Sequence, residues 1–197
     1  DEVYRVNALT SILDSDMSLS RAGANTNEIV IPKISMDGLA DYSRNSGYVS
    51  GDVALSWETV KFNYERGRMF TVDVMDDEET QNVAFGRLAG ELMRNKVVPE
   101  IDAFRFAQYA GTAGISTTAG ADLADGSAVL SAITAGMSKM DEDEVPQEGR
   151  ILFITPTLAR MVEALDTNKS REVLAVFSQI IRVPQSRFYT AIDLYDG

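Results

Sequence analysis

Residues 144–165, EVPQEGRILFITPTLARMVEAL, place a turn, a strand and a helix in fixed order. Val145-Pro146 ends the preceding helical pattern, because proline has no amide donor and biases its predecessor toward extended geometry. Gln147-Glu148-Gly149-Arg150 reads as a turn. The run Ile151-Leu152-Phe153-Ile154 is apolar at every position, which predicts a strand covered on both faces. Thr155 then stands as N-cap, with Pro156 at the first helical position. Read alone, this unit suits many α/β enzymes, and its setting is what narrows the reading.

Toward the C-terminus, residues 166–170 are a polar break, the segment Val173–Phe177 follows, and Gln179–Val183 is a β-type run ended by Pro184. Toward the N-terminus, Ser127–Met140 has Leu130, Ile133, Met137 and Met140 on one helical face. The small and flexible stretch GTAGISTTAGAD, residues 111–122, marks the boundary between two lobes. Before it, Glu100–Ala110 is helical, with Ile101, Phe104 and Tyr109 as anchors. Pro99 separates this segment from a longer helix that runs to Val98, with Ala84, Leu88, Leu92 and Lys96 recurring every fourth residue. Asp76, Asp77, Glu78 and Glu79 open that longer helix, where carboxylates meet the positive end of the helix dipole. Its length is roughly 33 Å at the helical rise, long for a chain of this size.

The N-terminal region of the chain is different in kind. Val53–Tyr64 alternates as a half-exposed strand, Glu65–Arg68 turns it back, and Met69–Val74 alternates again, which predicts a long antiparallel hairpin. A two-stranded ribbon is marginal alone in water and must lie on another surface. Glu28–Ile34 is a β-type run that Pro32 confines to an edge or exposed position. Gly38–Asp52 reads as a projecting loop, Asp16–Asn27 as a loop or arm, and Glu2–Asp14 as a short amphipathic helix with Val3, Val6, Leu9, Ile12 and Leu13 inward.

Composition removes whole classes of chemistry. The 197 residues are 45% apolar, enough for a packed core, and contain no Cys and no His. Ser-His-Asp and Cys-His nucleophiles, zinc fingers and His- or Cys-ligated haem are therefore impossible within the chain. The formal charge of -12 opposes tight sequence-independent binding to nucleic acid, which needs clustered Lys and Arg. No apolar run approaches the roughly 20 residues of a membrane span, and no signal peptide is recognisable at the start.

Asp141-Glu142-Asp143-Glu144 lacks the spacing and glycine of a calcium loop and reads as a solvated helix end. The glycines at 111, 114 and 120 lack the Gly-Lys-Ser/Thr ending of a phosphate loop. A carboxylate pair for glycoside hydrolysis is available in any acidic chain, but nothing selects one pair here. Asn168-Lys169-Ser170 matches a glycosylation acceptor by chance. Arg66 and Arg68, at the hairpin turn, are placed to pair with carboxylates of a neighbouring chain.

In this order the parts resemble the major capsid proteins of tailed bacteriophages and prophages, of the Hong Kong 97 fold. The matching pieces are IPKISMDGLADYSRNSGYVSGDVALSWETVKFNYERGRMFTVDVMD, DDEETQNVAFGRLAGELMRNKVVPEIDAFRFA, AVLSAITAGMSKMDEDEVPQEGRILFITP and IIRVPQSRFYT, which follow the arm. The resemblance implies an α+β fold: an N-terminal arm at 1–27, an extended hairpin loop at 28–75, a spine helix and peripheral domain at 76–110, and an axial domain at 111–197. It also implies a non-enzymatic subunit, without cofactor or metal, that self-assembles through capsomers into an icosahedral shell. That shell encloses double-stranded DNA without binding it specifically and takes scaffold and portal proteins as further partners. The implied location is the virion capsid, assembled in the bacterial cytoplasm with no membrane association. Trp57, Arg66, Arg68, Asp76, Asp77 and Glu78 are the intersubunit contacts it points to. An encapsulin-type compartment is the alternative with the same fold, and a carboxylate-based hydrolase the alternative from another class. The family continues with return strands beyond the VPQSRF segment, whereas this sequence stops at Gly197. Lys33 and Lys61 lie where some relatives crosslink, but no partner Asn or catalytic Glu matches.

Overall fold

The computed structural model describes residues 8–14, 18–70, 89–118 and 120–194. Helix and strand are mixed in the chain, and it divides into two compact units, Asp14–Thr71 and Asp1–Leu13 with Val72–Gly197.

The first unit is built on a three-stranded antiparallel sheet of β1 (Arg21–Ala22), β2 (Glu28–Met36) and β3 (Val53–Lys61), in that spatial order. β2 and β3 pair along their whole length, from Glu28 opposite Lys61 to Met36 opposite Val53. β1 reaches only Ile29 and Val30. At Pro32, therefore, β2 has a strand neighbour on one side only among the described residues, the setting in which a missing amide donor is tolerated. The loop between β2 and β3 is tied at its root by Asp37 and Asp52: each backbone N–H donates to the other residue, at 3.1 and 2.9 Å. Near its tip the Tyr42 and Tyr48 rings lie 4.9 Å apart across a Ser43–Gly47 bridge.

This changes the expected hairpin. The partner of Val53–Lys61 is Glu28–Met36, closed by the projecting loop. Met69 and Phe70 have no regular structure, and residues 71–74 lie outside the described residues. β1 falls in the stretch that reads as a loop; only two residues long, it has no periodicity to read.

In the second unit, the described segment of the long helix begins at residue 89 and passes through a π turn, Met93–Val97, into α1 (Val98–Gly111). Pro99 does not interrupt it. The π turn shifts the bonding just before the proline, with the Val98 N–H reaching back to the Met93 carbonyl, so Pro99 sits in the first turn of α1 where its missing donor costs little. The buried face of α1 is also not the expected one. Val98, Asp102, Ala103, Phe106 and Ala107 are buried, whereas Tyr109 is exposed. Val98, Asp102 and Phe106 fall four apart, and a carboxylate in the middle of that stripe disguises it as a polar face.

Beyond α1 come α2 (Gly126–Glu142), β4 (Ile151–Ile154), α3 (Pro156–Glu163), α4 (Asn168–Ala175) and β5 (Gln179–Arg182). The linker expected to mark a lobe boundary lies instead within one compact unit. β4 and β5 are parallel, Ile151 opposite Gln179 through Ile154 opposite Arg182, so α3 and α4 form the crossover that parallel pairing requires. β4 is covered on both faces as its composition predicts. Leu152 and Ile154 join the core of Val129, Leu130, Ala159 and Val162. Phe153 faces the other way and meets Phe106 edge-on at 5.2 Å, while Phe188 closes on Phe106 at 4.9 Å.

Local chemistry sets the helix ends. The Asp125 side chain accepts from the Ala128 N–H at 2.7 Å, and Thr167 and Ser170 form a reciprocal cap on α4. Thr155 occupies the N-cap of α3, but its hydroxyl makes no capping bond; its carbonyl accepts from the Ala159 N–H at 3.0 Å. α2 ends with Glu144 in the left-handed region (φ 57°), with the Val145 N–H bonded to the Met140 carbonyl and the Glu144 N–H to that of Asp141. Glycine is the usual occupant of that position.

The acidic run at the C-terminal end of α2 is more than a solvated end. Asp141 accepts from Arg150 at 2.7 Å, and the buried Arg150 also donates to the carbonyls of Val145 and Pro146, fastening the turn to the start of β4.

Gly126 is required by packing. A Cβ there would lie 2.2 Å from the Met161 carbonyl oxygen of α3. Gly126→Ala should therefore lower stability in denaturant titration by about 1–3 kcal/mol, the usual cost of overpacking. Glu144→Gly should raise it by up to about 1 kcal/mol, because it relieves the left-handed strain.

Candidate functional site: an uncovered apolar sheet face

The β2–β3 register sorts side chains strictly, because directly opposed residues share a face and neighbours along a strand alternate. One face carries Pro32 and Trp57, Ile34 and Leu55, and Met36 and Val53 as opposed pairs. The other carries Lys33 and Ser56, Ser35 and Ala54, with Ile31 opposite Glu58 and Ile29 opposite Val60 toward the root. A Lys33–Glu58 ion pair at 3.7 Å crosses this second face diagonally. The ribbon is thus apolar on one side and mainly polar on the other over its outer half.

Nothing among the described residues of its own unit covers the outer part of the apolar side. Ile34, Leu55, Val53 and Met36 are 64, 58, 68 and 71% exposed. Side chains of this kind in one contiguous strip mark an interaction surface rather than ordinary surface scatter. At the root of the same face, the Arg21 guanidinium lies over the Trp57 ring, 4.5 Å from its centroid, so one side of the indole is already occupied by a cation. Glu28 and Lys61 close the root as an ion pair at 3.6 Å.

Of the residues expected at subunit contacts, the structure places Trp57 on this face. Arg66 and Arg68 are exposed in the irregular segment after β3. Asp76, Asp77 and Glu78 lie outside the described residues. The sequence did not point to Arg21: its contact with Trp57 depends on the register of three strands and leaves no local signal. Lys33 and Lys61 have the carboxylate partners just described, Glu58 and Glu28.

Among the described residues two charged groups are buried in the other unit, and both are engaged by structural bonds, with Arg150 Nη1 alone left without a partner. The Asp102 carboxylate, fully buried, accepts from the backbone N–H groups of Leu9 and Thr10 and from the Thr10 hydroxyl, and faces Arg187. A carboxylate so occupied, with no solvent access, has no lone pair aimed at a substrate. Arg150 is committed to Asp141 and two carbonyls. Two concavities among the described residues carry no more chemistry. One lies between Thr155–Leu158 and Pro184-Gln185 and is lined by no titratable side chain. The other is a void of about 20 Å³ whose one charged lining residue is Glu163. Among the described residues no group of His, Cys, Asp and Glu could hold a metal ion, and no helix is long and apolar enough to cross a membrane.

Comparison of the chain with protein-family models, with curated proteins and with solved structures returns no match. The site is thus read from its own geometry.

The root of the sheet supplies a titration test. The Asn25 side chain, hydrogen-bonded to the Glu28 carboxylate, together with the Asn25 backbone and Lys61, holds the Glu28 carboxyl below the usual glutamate range, against the opposing effect of desolvation. A lowered folded-state value means that the pairing stabilises the sheet above the ordinary glutamate pKa and is lost as pH falls through the lowered one. Carboxyl-carbon NMR should find the Glu28 midpoint below those of exposed glutamates, and Asn25→Ala should move it upward.

Proposed function

We propose that this chain is a shell subunit: a major capsid protein of the tailed-phage and prophage type, with the Hong Kong 97 fold, that self-assembles into an icosahedral shell around double-stranded DNA. The observation that carries the reading is the apolar strip Pro32, Ile34, Met36, Val53, Leu55 and Trp57 on a ribbon that has no cover within its own unit. A two-stranded ribbon gains little stability alone. Covering that strip with another subunit removes apolar surface from water at roughly 25 cal/mol per Å².

The other features support the same role. A surface given by one copy and received by the next is a heterologous contact, which closes into rings when the rotation permits. The charge of -12 keeps the subunit from adhering to DNA that it only has to enclose. The absence of His and Cys from the sequence and the full engagement of the Asp102 carboxylate support a role based on geometry. The order of arm, hairpin, long helix and strand-helix unit is the order on which the family resemblance rests.

Electron microscopy and sedimentation of the intact protein test the reading. Shells, tubes or capsomer rings are expected, and a monomer that persists at high concentration overturns it. Shells that hold a protein cargo in place of DNA would reassign the chain to an encapsulin-type compartment. Leu55→Lys, on the apolar face, should abolish the assemblies with circular dichroism unchanged, whereas Ser56→Lys, one residue along on the other face, should leave them intact.

A further inference from the structure

The segment that begins the described chain is attached in an unusual way. Residues 9–13 form a 3-10 turn, and its hold on α1 is directed almost entirely at one residue. The Leu9 N–H donates to Asp102 Oδ2 at 3.2 Å, and the Thr10 N–H and hydroxyl donate to Oδ1 at 3.1 and 2.8 Å. Arg105 Nη1 donates to Thr10 Oγ1 at 3.2 Å, so the hydroxyl is fixed from both sides. Arg187 Nη1 lies 3.4 Å from Asp102 Oδ2.

The apolar share of this attachment is small. Ala8 is the one fully buried apolar side chain in residues 8–13 and Leu9 is half-buried, while Ile12 and Leu13 are 41 and 38% exposed. The core of the unit, around Val129, Leu130, Ile154, Ala159 and Val162, includes none of these residues. Hydrogen bonds to a carboxylate are strong but short-ranged, and each can be exchanged for a bond to water once the segment lifts. Lifting also exposes Asp102 to solvent and leaves Arg187 beside it, so no buried charge is stranded by the opening. A segment held by a hydrophobic core would open only with that core. This one has a separate and local mode of release.

We propose that residues 8–13 form a releasable strap latched on α1 by Asp102, which opens and closes while the rest of its unit stays folded. Opening uncovers Asp102 and the Arg105 guanidinium on α1, so the strap controls access to those two side chains.

Native-state hydrogen exchange on the intact protein, read by NMR across low denaturant concentrations, tests the strap. The Leu9 and Thr10 amides should exchange through an opening that is insensitive to denaturant. The amides of Val129, bonded to the Asp125 carbonyl, and Val183, bonded to that of Ile154, should follow global unfolding. Asp102→Asn should speed Leu9 and Thr10 exchange by roughly a hundredfold, and Thr10→Val, which keeps both amide bonds, by roughly tenfold. Both should leave Val129 and Val183 unchanged. The proposal is overturned if Leu9 and Thr10 share the denaturant slope of the core amides, if the variants leave their rates unaltered, or if Asp102→Asn speeds all four alike. Should Asp102→Asn fail to fold, the slopes of the unmodified protein and the Thr10→Val rates decide.

Discussion

A charge removed from water has to be met, and in the larger unit that requirement falls on Asp102. A carboxylate buried without partners costs several kcal/mol. Its position in the middle of the inward face of α1 therefore compels other segments of the chain to come to it. They come from far away in sequence: Leu9 and Thr10 from one end, Arg187 from the other. Phe106, one turn further along the same helix, does the equivalent with apolar surface by gathering Phe153 and Phe188. α1 is thus the element on which the early and late segments of the chain converge, through one polar and one aromatic contact a single turn apart.

The smaller unit obeys a different constraint. Its sheet satisfies the backbone by pairing β2 with β3 over nine residues each, yet leaves much of its apolar side-chain surface in water. Hydrogen bonding alone is a weak net stabiliser, because the unfolded chain bonds to water instead. The cation over Trp57 and the Glu28–Lys61 pair strengthen the root of the ribbon, while the outer half relies on polar contacts such as the Lys33–Glu58 pair and the Asp37–Asp52 tie. The missing contribution is apolar burial, and the proposed role in a shell supplies it from outside the molecule.

What could be read from the sequence followed the strength of the local signals. β4, α3 and β5 were legible because an unbroken apolar run, a Thr-Pro helix start and a terminating Pro184 act over a few residues. α2 was legible from its period, and the cap at Asp125 refined only its first turn. Three things escaped because their cause is not local. The β2–β3 pairing spans a long loop, and a nearer alternating run at Met69–Val74 offered a simpler partner. Pro99 reads as a break because the π turn that accommodates it has no compositional mark. The α1 stripe was misplaced because Asp102 reads as a surface acid until its donors are known. Of the candidate site, the hairpin and Trp57 were visible in outline. The alternation of Val53, Leu55 and Trp57 was also visible; that Pro32, Ile34 and Met36 join them on one face was not, since that depends on the β2–β3 register.

The two-sidedness of the ribbon limits what can be built from it. A surface adhesive on both sides lets copies pile up without end, as stacked sheets do in fibrils. In the proposed shell, the first subunit to cover Ile34, Leu55 and Trp57 would consume the adhesive side, and the side then left outward over the outer half bears Lys33, Ser35, Ser56 and Glu58. Growth of such a shell would continue sideways from subunit to subunit, while its thickness stops at one layer.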